Sequence, residues 1–153
     1  MASPNLLIGR HSLPGAVYMV TTVASSRRRL FLEETAAVAA IDEIRRHERD
    51  GWMHSLAWVL MPDHLHWLFA LNKDSLSRCM QSYKSRSAQA INASLRRRGR
   101  IWQPGFYDHR VRDDEDQRCL ALYVVTNPIR AGLVKRASEY PYGWCRWPLE
   151  ENP

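Results

Sequence analysis

The chain has 153 residues, 45% of them hydrophobic and 25% charged, which is enough for one domain, 1–153, with a substantial core. No apolar stretch approaches the roughly 18 residues of a membrane span, and three scattered cysteines build no disulfide framework, so a reducing cytoplasm is favoured. A net charge of +6, with arginine supplying 19 of the 22 basic residues, makes a polyanionic partner plausible because guanidinium matches phosphate.

The first elements are a predicted strand and a predicted helix. A Pro14-Gly15 turn precedes a strand from about Ala16 to Val23, where β-branched and aromatic residues are frequent. The segment EETAAVAAIDEIRRHER, which stops before Gly51, predicts a helix. Its expected apolar stripe consists of Val38, Ile41 and Ile44.

Two strands and a long helix are predicted next. Met53 to Leu60 and His64 to Leu71 form an antiparallel pair, because only a short turn, Met61-Pro62-Asp63, joins them. Asp74 or Ser75 then caps a helix that extends to about Leu95. Its expected apolar stripe consists of Leu76, Met80, Tyr83, Ser87 and Ile91.

The last predicted elements complete an α+β pattern. GFYDHRVR indicates a fourth strand, and Asp113 is expected to cap a helix that Asn127-Pro128 ends, since a residue before proline disfavours helical geometry. The order strand, helix, strand, strand, helix, strand, helix is the split βαβ pattern, ferredoxin-like or RNA-recognition-like. We therefore expect an antiparallel sheet with two helices on one face and an extra C-terminal helix, free to cross or flank the other face.

The third predicted strand, HLHWLFAL, carries two histidines on one face. Residues two apart in a strand point the same way, so His64 and His66 stand side by side while the opposite face is wholly apolar. Such a pair can bind a divalent metal, although two nitrogens do not complete a site. Two polar residues on an exposed strand face are the plainer interpretation of the pair alone.

The last predicted helix offers a second pair of polar side chains. Tyr123 and Asn127 are four residues apart and therefore share a helix face. An amide oxygen is a hard ligand that suits magnesium or manganese. Considered alone, the tyrosine is interpreted as a core aromatic residue and the asparagine as a polar residue at a helix end. Their occurrence together with the histidine pair favours one site that contains all four residues.

Three segments together resemble a known family. MPDHLHWLFAL, WQPGFYDHRVRDDED and YVVTNPIRAGLV are similar to segments of the REP-associated tyrosine transposases, which belong to the HUH endonuclease superfamily. The resemblance runs from GRHSLPGAVYMVTT to EYPYGW, with one departure at Met19, where a histidine is expected. It implies cleavage and transfer of single-stranded DNA at REP-type hairpins, in a bacterial, nucleoid-associated protein that is a monomer or a homodimer.

The resemblance also assigns roles to residues. His64 and His66 match the histidine pair, Tyr123 the nucleophile that forms a 5′-phosphotyrosine, and Asn127 a third ligand for Mg²⁺ or Mn²⁺. Protonation competes with metal for imidazole, so activity is expected to fall as pH drops through roughly 6.5. The candidate DNA-binding residues, each of which also reads as an ordinary solvated charge, are Arg10, Arg78, Lys84, Arg86, His109, Arg110 and Arg112.

Two other functions remain open from the sequence. A non-catalytic regulator that binds single-stranded nucleic acid could use the same sheet, although binding alone requires neither the histidine pair nor the tyrosine. The third strand also lacks the glycine of RNA-recognition signatures. A structural metal protein is the other alternative, and it lacks ligands beyond the pair.

Overall fold

The structure is a computed structural model that describes residues 13, 15–112 and 115–149. Within these residues it contains five strands and four α-helices. In chain order they are β1 (Val17–Val23), α1 (Glu34–Arg49), β2 (Met53–Met61), β3 (His64–Leu71), α2 (Leu76–Leu95), β4 (Tyr107–Arg110), α3 (Gln117–Val125), α4 (Asn127–Arg130) and β5 (Gly143–Cys145).

The strands form one antiparallel sheet in the order β4-β1-β3-β2-β5. Strand β3 lies between β1 and β2, which is the split arrangement that the order of elements predicts. The α+β fold is therefore confirmed. The edge strand β5 was not predicted, because three residues are too few to show a period-two pattern.

One face of the sheet is the main core. Leu65, Trp67, Phe69 and Leu71 of β3 are fully buried, and they pack in one cluster with side chains of α1 and α2. All five residues of the stripe predicted for the long helix are buried as well. The alternation of β3 thus correctly predicted which face meets the helices.

The opposite face carries the histidines and is covered by α3. Leu68, two residues beyond His66 on the same face, packs in a second apolar cluster with Ala121, Val124 and Val125 of α3. Helix α3 lies against β2 and β3 of its own chain. The helix that bears Tyr123 is thereby placed on the histidine face.

The apolar stripe predicted for α1 is partly wrong. Val38 exposes 45% of its surface, whereas Ile41 and Ile44 are buried as expected. The buried side is completed by Ala37 and Ala40, whose small side chains let the helix lie close to its neighbours. A periodicity read from the largest apolar residues overlooked these alanines.

The bounds of the C-terminal helices also differ from expectation. Asp116 caps α3, accepting from the main-chain N–H of Arg118 at 2.9 Å, whereas Asp113 lies outside the described residues. Asn127 does not end helical structure. Thr126 follows the last residue of α3, and the next helix, α4, begins at Asn127. Pro128 is tolerated there because a helix's first turn needs no N–H donor.

Across the described ranges, no helix combines the length and apolar character needed to traverse a bilayer. The assignment of 1–153 to a single domain stays a prediction.

Candidate active site

Two imidazoles converge at one end of the sheet. His64 and His66 are both half-buried, and their Nε2 atoms lie 3.1 Å apart. The ring centroids are 4.6 Å apart at an interplanar angle of 83°. The two rings therefore aim their outer nitrogens at the same small volume.

Each imidazole is oriented by a partner on its inner nitrogen. His64 Nδ1 donates to Asp63 Oδ1 at 2.6 Å, and His66 Nδ1 lies 2.8 Å from Thr21 Oγ1, on the neighbouring strand. With Nδ1 protonated on both rings, both Nε2 lone pairs are free to bind a cation. Burial tends to raise the pKa of Asp63, but the hydrogen bond and charge of His64 and the charge of Arg27 outweigh it and lower that pKa.

The sequence reasoning did not select Asp63 or Thr21. Asp63 directly precedes His64, so a carboxylate beside a metal-binding histidine was a visible signal. The role of Thr21 depends on the register of β1 against β3, in which it pairs with His66. That register is a tertiary property.

The chemistry of the pair fits a divalent metal. The two Nε2 atoms are 3.1 Å apart, close enough for both to bind one ion, and imidazole is a common metal ligand. Within residues 13, 15–112 and 115–149, no cluster of three or more His, Cys, Asp or Glu side chains could hold a metal. The third ligand predicted from the sequence, the amide of Asn127, is a donor type outside these four.

Tyr123 and Asn127 lie at the junction of α3 and α4. Tyr123 exposes 59% of its surface, and Asn127 is the half-buried first residue of α4. Tyr123 is thus accessible rather than a core aromatic, which is the state that a nucleophile requires. The roles assigned to these two residues stay predictions.

Arg130 is a further functional candidate that sequence reasoning missed. Its guanidinium carbon lies 4.0 Å from the centroid of the Tyr123 ring, and its charge contributes to lowering the pKa of His66. Its spacing of seven residues from Tyr123, two helical turns, was the available signal.

The structure places three predicted DNA-binding residues away from the histidine pair. Arg78, Lys84 and Arg86 belong to α2, which packs on the opposite face of the sheet. Lys84 Nζ donates to the main-chain oxygens of Gln103, at 2.6 Å, and Gly105. Burial, with a smaller effect of Arg100, lowers the pKa of Lys84 to about 8, and its ammonium group anchors a loop.

The side chains of β4, which include two of the predicted DNA-binding residues, divide between the two faces. Tyr107 pairs with Thr21 and His109 with Met19, so their side chains share the histidine face. Arg110 pairs with Tyr18, which is buried among the residues of the helical layer, so Arg110 points to that side. Arg112 follows the strand and is exposed, and Arg10 lies outside the described residues.

Tyr107 was not selected from the sequence, although it exposes 63% of its surface. The pairing Tyr107–Thr21–His66 puts it two strands from the histidine pair, on the same face. Two strand spacings correspond to about 10 Å. An exposed aromatic ring at that distance can stack on a nucleobase.

His66 is expected to remain neutral well below the usual titration range of histidine. Burial, then the charges of His64 and Arg130, lower its pKa to about 4, against a smaller opposing effect of Asp63. The expected fall in activity through pH 6.5 concerns the metal-bound site and stays a prediction. Between about pH 6.5 and 4, His66 is protonated in the unfolded chain but neutral in the native protein. It therefore lowers the free energy of unfolding as pH falls through this range. NMR of the metal-free protein checks this, and a His66 midpoint near 6.5 would contradict it.

Two curated proteins are similar to this chain in sequence. The chain is 28% identical over 135 residues to the REP-associated tyrosine transposase of Escherichia coli (strain K12), covering 87% of this chain and 78% of that protein. A Haemophilus influenzae protein described by the same name is 27% identical over 143 residues, covering 84% and 78%.

Solved structures show the same similarity. A REP-associated tyrosine transposase bound to a REP hairpin has a TM-score of 0.74 at 27% identity, covering 88% of this chain and 79% of that one. A transposase-like protein of Deinococcus radiodurans has a TM-score of 0.55 at 19% identity, covering 78% and 95%, a likeness of fold alone. The family model described as "Transposase IS200 like" matches residues 13–127, well over half of the chain. The protein belongs to the IS200-like transposase family.

Proposed function

We propose that this transposase nicks and rejoins single-stranded DNA at REP-type hairpins through a covalent 5′-phosphotyrosine link to Tyr123. The observation that carries the proposal is the convergence of the His64 and His66 Nε2 atoms on the sheet face that α3 covers. The relative solved with a REP hairpin supports the substrate class.

The proposed metal ligands are His64, His66 and Asn127, with Mg²⁺ or Mn²⁺ as the ion. A bound ion would withdraw charge from the scissile phosphate and fix the phosphorus for in-line attack. The Asp63 carboxylate accepts from His64 Nδ1 and so leaves Nε2 of that ring free for a metal, while Thr21 holds the orientation of the His66 ring.

The proposed nucleophile is Tyr123 Oη. It forms a bond to phosphorus while the phosphorus–O3′ bond breaks; its proton passes to solvent, and the departing 3′ oxygen takes a proton to become a hydroxyl. One phosphodiester replaces another, so a 3′-hydroxyl can later attack the phosphotyrosine and rejoin the strand without a nucleotide cofactor. A phenol is a weak nucleophile at neutral pH, which is why cations near it are required.

The proposed path of the single strand crosses the histidine face. Tyr107 and His109 lie on that face in β4, two strands from the histidine pair, and an aromatic ring near a polar group suits an unpaired base. Arg78 and Arg86 lie on the opposite helical layer and form ion pairs with Asp74 and Asp50, each at 3.6 Å. Both arginines are exposed, so they remain candidates for the phosphates of a hairpin stem rather than of the strand being cut.

The second candidate function is a regulator that binds the same hairpins without cutting them. The antiparallel sheet and the positive net charge are compatible with such a regulator. Only the proposed catalytic and metal-binding residues distinguish the two functions. Bound hairpin without cleavage in the presence of manganese would favour the regulator.

Incubation with a hairpin library and Mn²⁺, followed by sequencing of the ends, tests the proposal. We expect cleavage at one position beside a hairpin, and none with EDTA or with His66→Ala. His54→Ala, which removes an exposed histidine from β2, is the matched control and should leave cleavage intact. Unchanged cleavage by His66→Ala would overturn the proposed site.

The same assay tests which chain's tyrosine acts. Helix α3 lies on its own chain's β2 and β3, which supports attack within one protomer whether the protein is a monomer or a homodimer. A mixture of His66→Ala and Tyr123→Phe proteins should then stay inactive. Restored cleavage in the mixture would show that the tyrosine serves a partner.

A further inference from the structure

Arg130 is folded back along the helix surface onto the tyrosine. Its Nη1 donates to Thr126 Oγ1 at 2.7 Å, and its Nη2 donates to the main-chain oxygen of Tyr123 at 2.5 Å. Its guanidinium lies over the Tyr123 ring, 4.0 Å from the centroid. One side chain thus contacts the main chain, the ring and the junction between α3 and α4.

The break between the two helices produces this arrangement. Thr126 ends α3, its hydroxyl donating to the carbonyl of Leu122 at 2.6 Å, and α4 starts at the next residue. Helical geometry continues through the break, so positions four and seven residues after Tyr123 remain on its side of the helix. Asn127 and Arg130 occupy those positions.

An exposed tyrosine needs such a contact if it is to attack a phosphate in a fixed direction. With 59% of its surface exposed, the ring has little packing to define its rotamer. A guanidinium stacked on the ring face supplies an attraction that is independent of apolar packing. Its charge also helps to lower the pKa of His66, which is consistent with α3 packing on the histidine face of the sheet.

We propose that Arg130 is a positioning residue that holds the Tyr123 ring in line with the scissile phosphate. This inference rests on the proposed function, because it assumes that Tyr123 is the nucleophile. The guanidinium acts through the ring, while its two hydrogen bonds keep it from swinging away. Misplacement of a reacting group by about 1 Å can lower a rate by about 100-fold.

The test measures single-turnover cleavage and hairpin affinity separately, with Mn²⁺ and the wild-type substrate. Arg130→Ala should slow cleavage by about 100-fold and leave hairpin affinity within about twofold. Arg130→Lys keeps the charge but loses the planar fork, so we expect an intermediate rate. Arg49→Ala, which removes an exposed arginine from α1 on the other face, should leave both quantities unchanged.

Two controls separate this role from simpler ones. Added guanidinium ion should partly restore cleavage by Arg130→Ala without changing hairpin affinity, because the free ion can stack on the Tyr123 ring in place of the lost side chain. The dependence of hairpin affinity on salt should keep the wild-type slope. A slope reduced by about 0.7, together with weaker binding, would show a direct phosphate contact and overturn the positioning role.

An unchanged cleavage rate in Arg130→Ala would also overturn it. Failure of wild-type protein to cleave would instead reject the proposed function itself, so the two failures are distinguishable.

Discussion

Replacing Tyr123 with phenylalanine should abolish DNA cleavage and the denaturant-resistant protein–DNA adduct that the wild type forms with Mn²⁺. The change removes one oxygen from a side chain that exposes 59% of its surface, so folding and hairpin affinity should hardly alter. No other group can replace the missing nucleophile, so the cleavage rate should fall to the detection limit of the assay.

Tyr107→Phe is the matched control for that experiment. Tyr107 exposes 63% of its surface on the same face of the sheet, so the substitution removes the same hydroxyl oxygen from a side chain of comparable exposure. The control should still form the adduct, because its ring remains available for stacking. An adduct formed by Tyr123→Phe at the wild-type rate would place the nucleophile elsewhere.

Trp67→Ala should destabilise the fold by about 3–5 kcal/mol, the usual cost of emptying a core aromatic site. Trp67 is fully buried, with ring centroids 4.9 Å from Phe69 and 5.0 Å from Tyr83. Its Nε1 donates to Ser55 Oγ at 2.9 Å, so the substitution also leaves that buried hydroxyl without its donor. Domains have a total stability of about 5–15 kcal/mol, so the loss is a large share.

Trp144→Ala provides the matched comparison, because this tryptophan on the edge strand β5 exposes 39% of its surface. Denaturant unfolding of both variants measures the difference directly. A cost for Trp67→Ala no greater than that for Trp144→Ala would contradict the assignment of the core face.

The fold followed from local patterns that the tertiary structure did not override. In β3 the two histidines mark one face and four large apolar residues the other, so its bounds and the face that meets the helices were predicted correctly, although Leu68 on the histidine face is buried as well. The predicted stripe of α2 was correct for the same reason, and Ser75 does cap that helix, accepting from the main-chain N–H of Arg78 at 3.1 Å. Val38 failed because alanines, which carry little hydrophobic signal, form the contact side of α1.

The site was only partly predictable. The histidine pair could be predicted from the two-residue period of a strand alone. The contact of Thr21 with His66 could not, because it depends on the register between β1 and β3. Arg130 was missed because the rule that proline interrupts a helix suggested that nothing beyond Asn127 would remain on the tyrosine's side. The short helix α4 restores that alignment.

Mapping the covalent adduct to a residue tests the central claim most directly. After reaction with hairpin DNA and Mn²⁺, denaturation, nuclease digestion and trypsin, the tryptic peptide CLALYVVTNPIR, whose sole tyrosine is Tyr123, should carry the mass of the residual nucleotide. Fragmentation should place that mass on the tyrosine. Nucleotide mass on a peptide that contains any of the other five tyrosines, with CLALYVVTNPIR unmodified, would contradict the account.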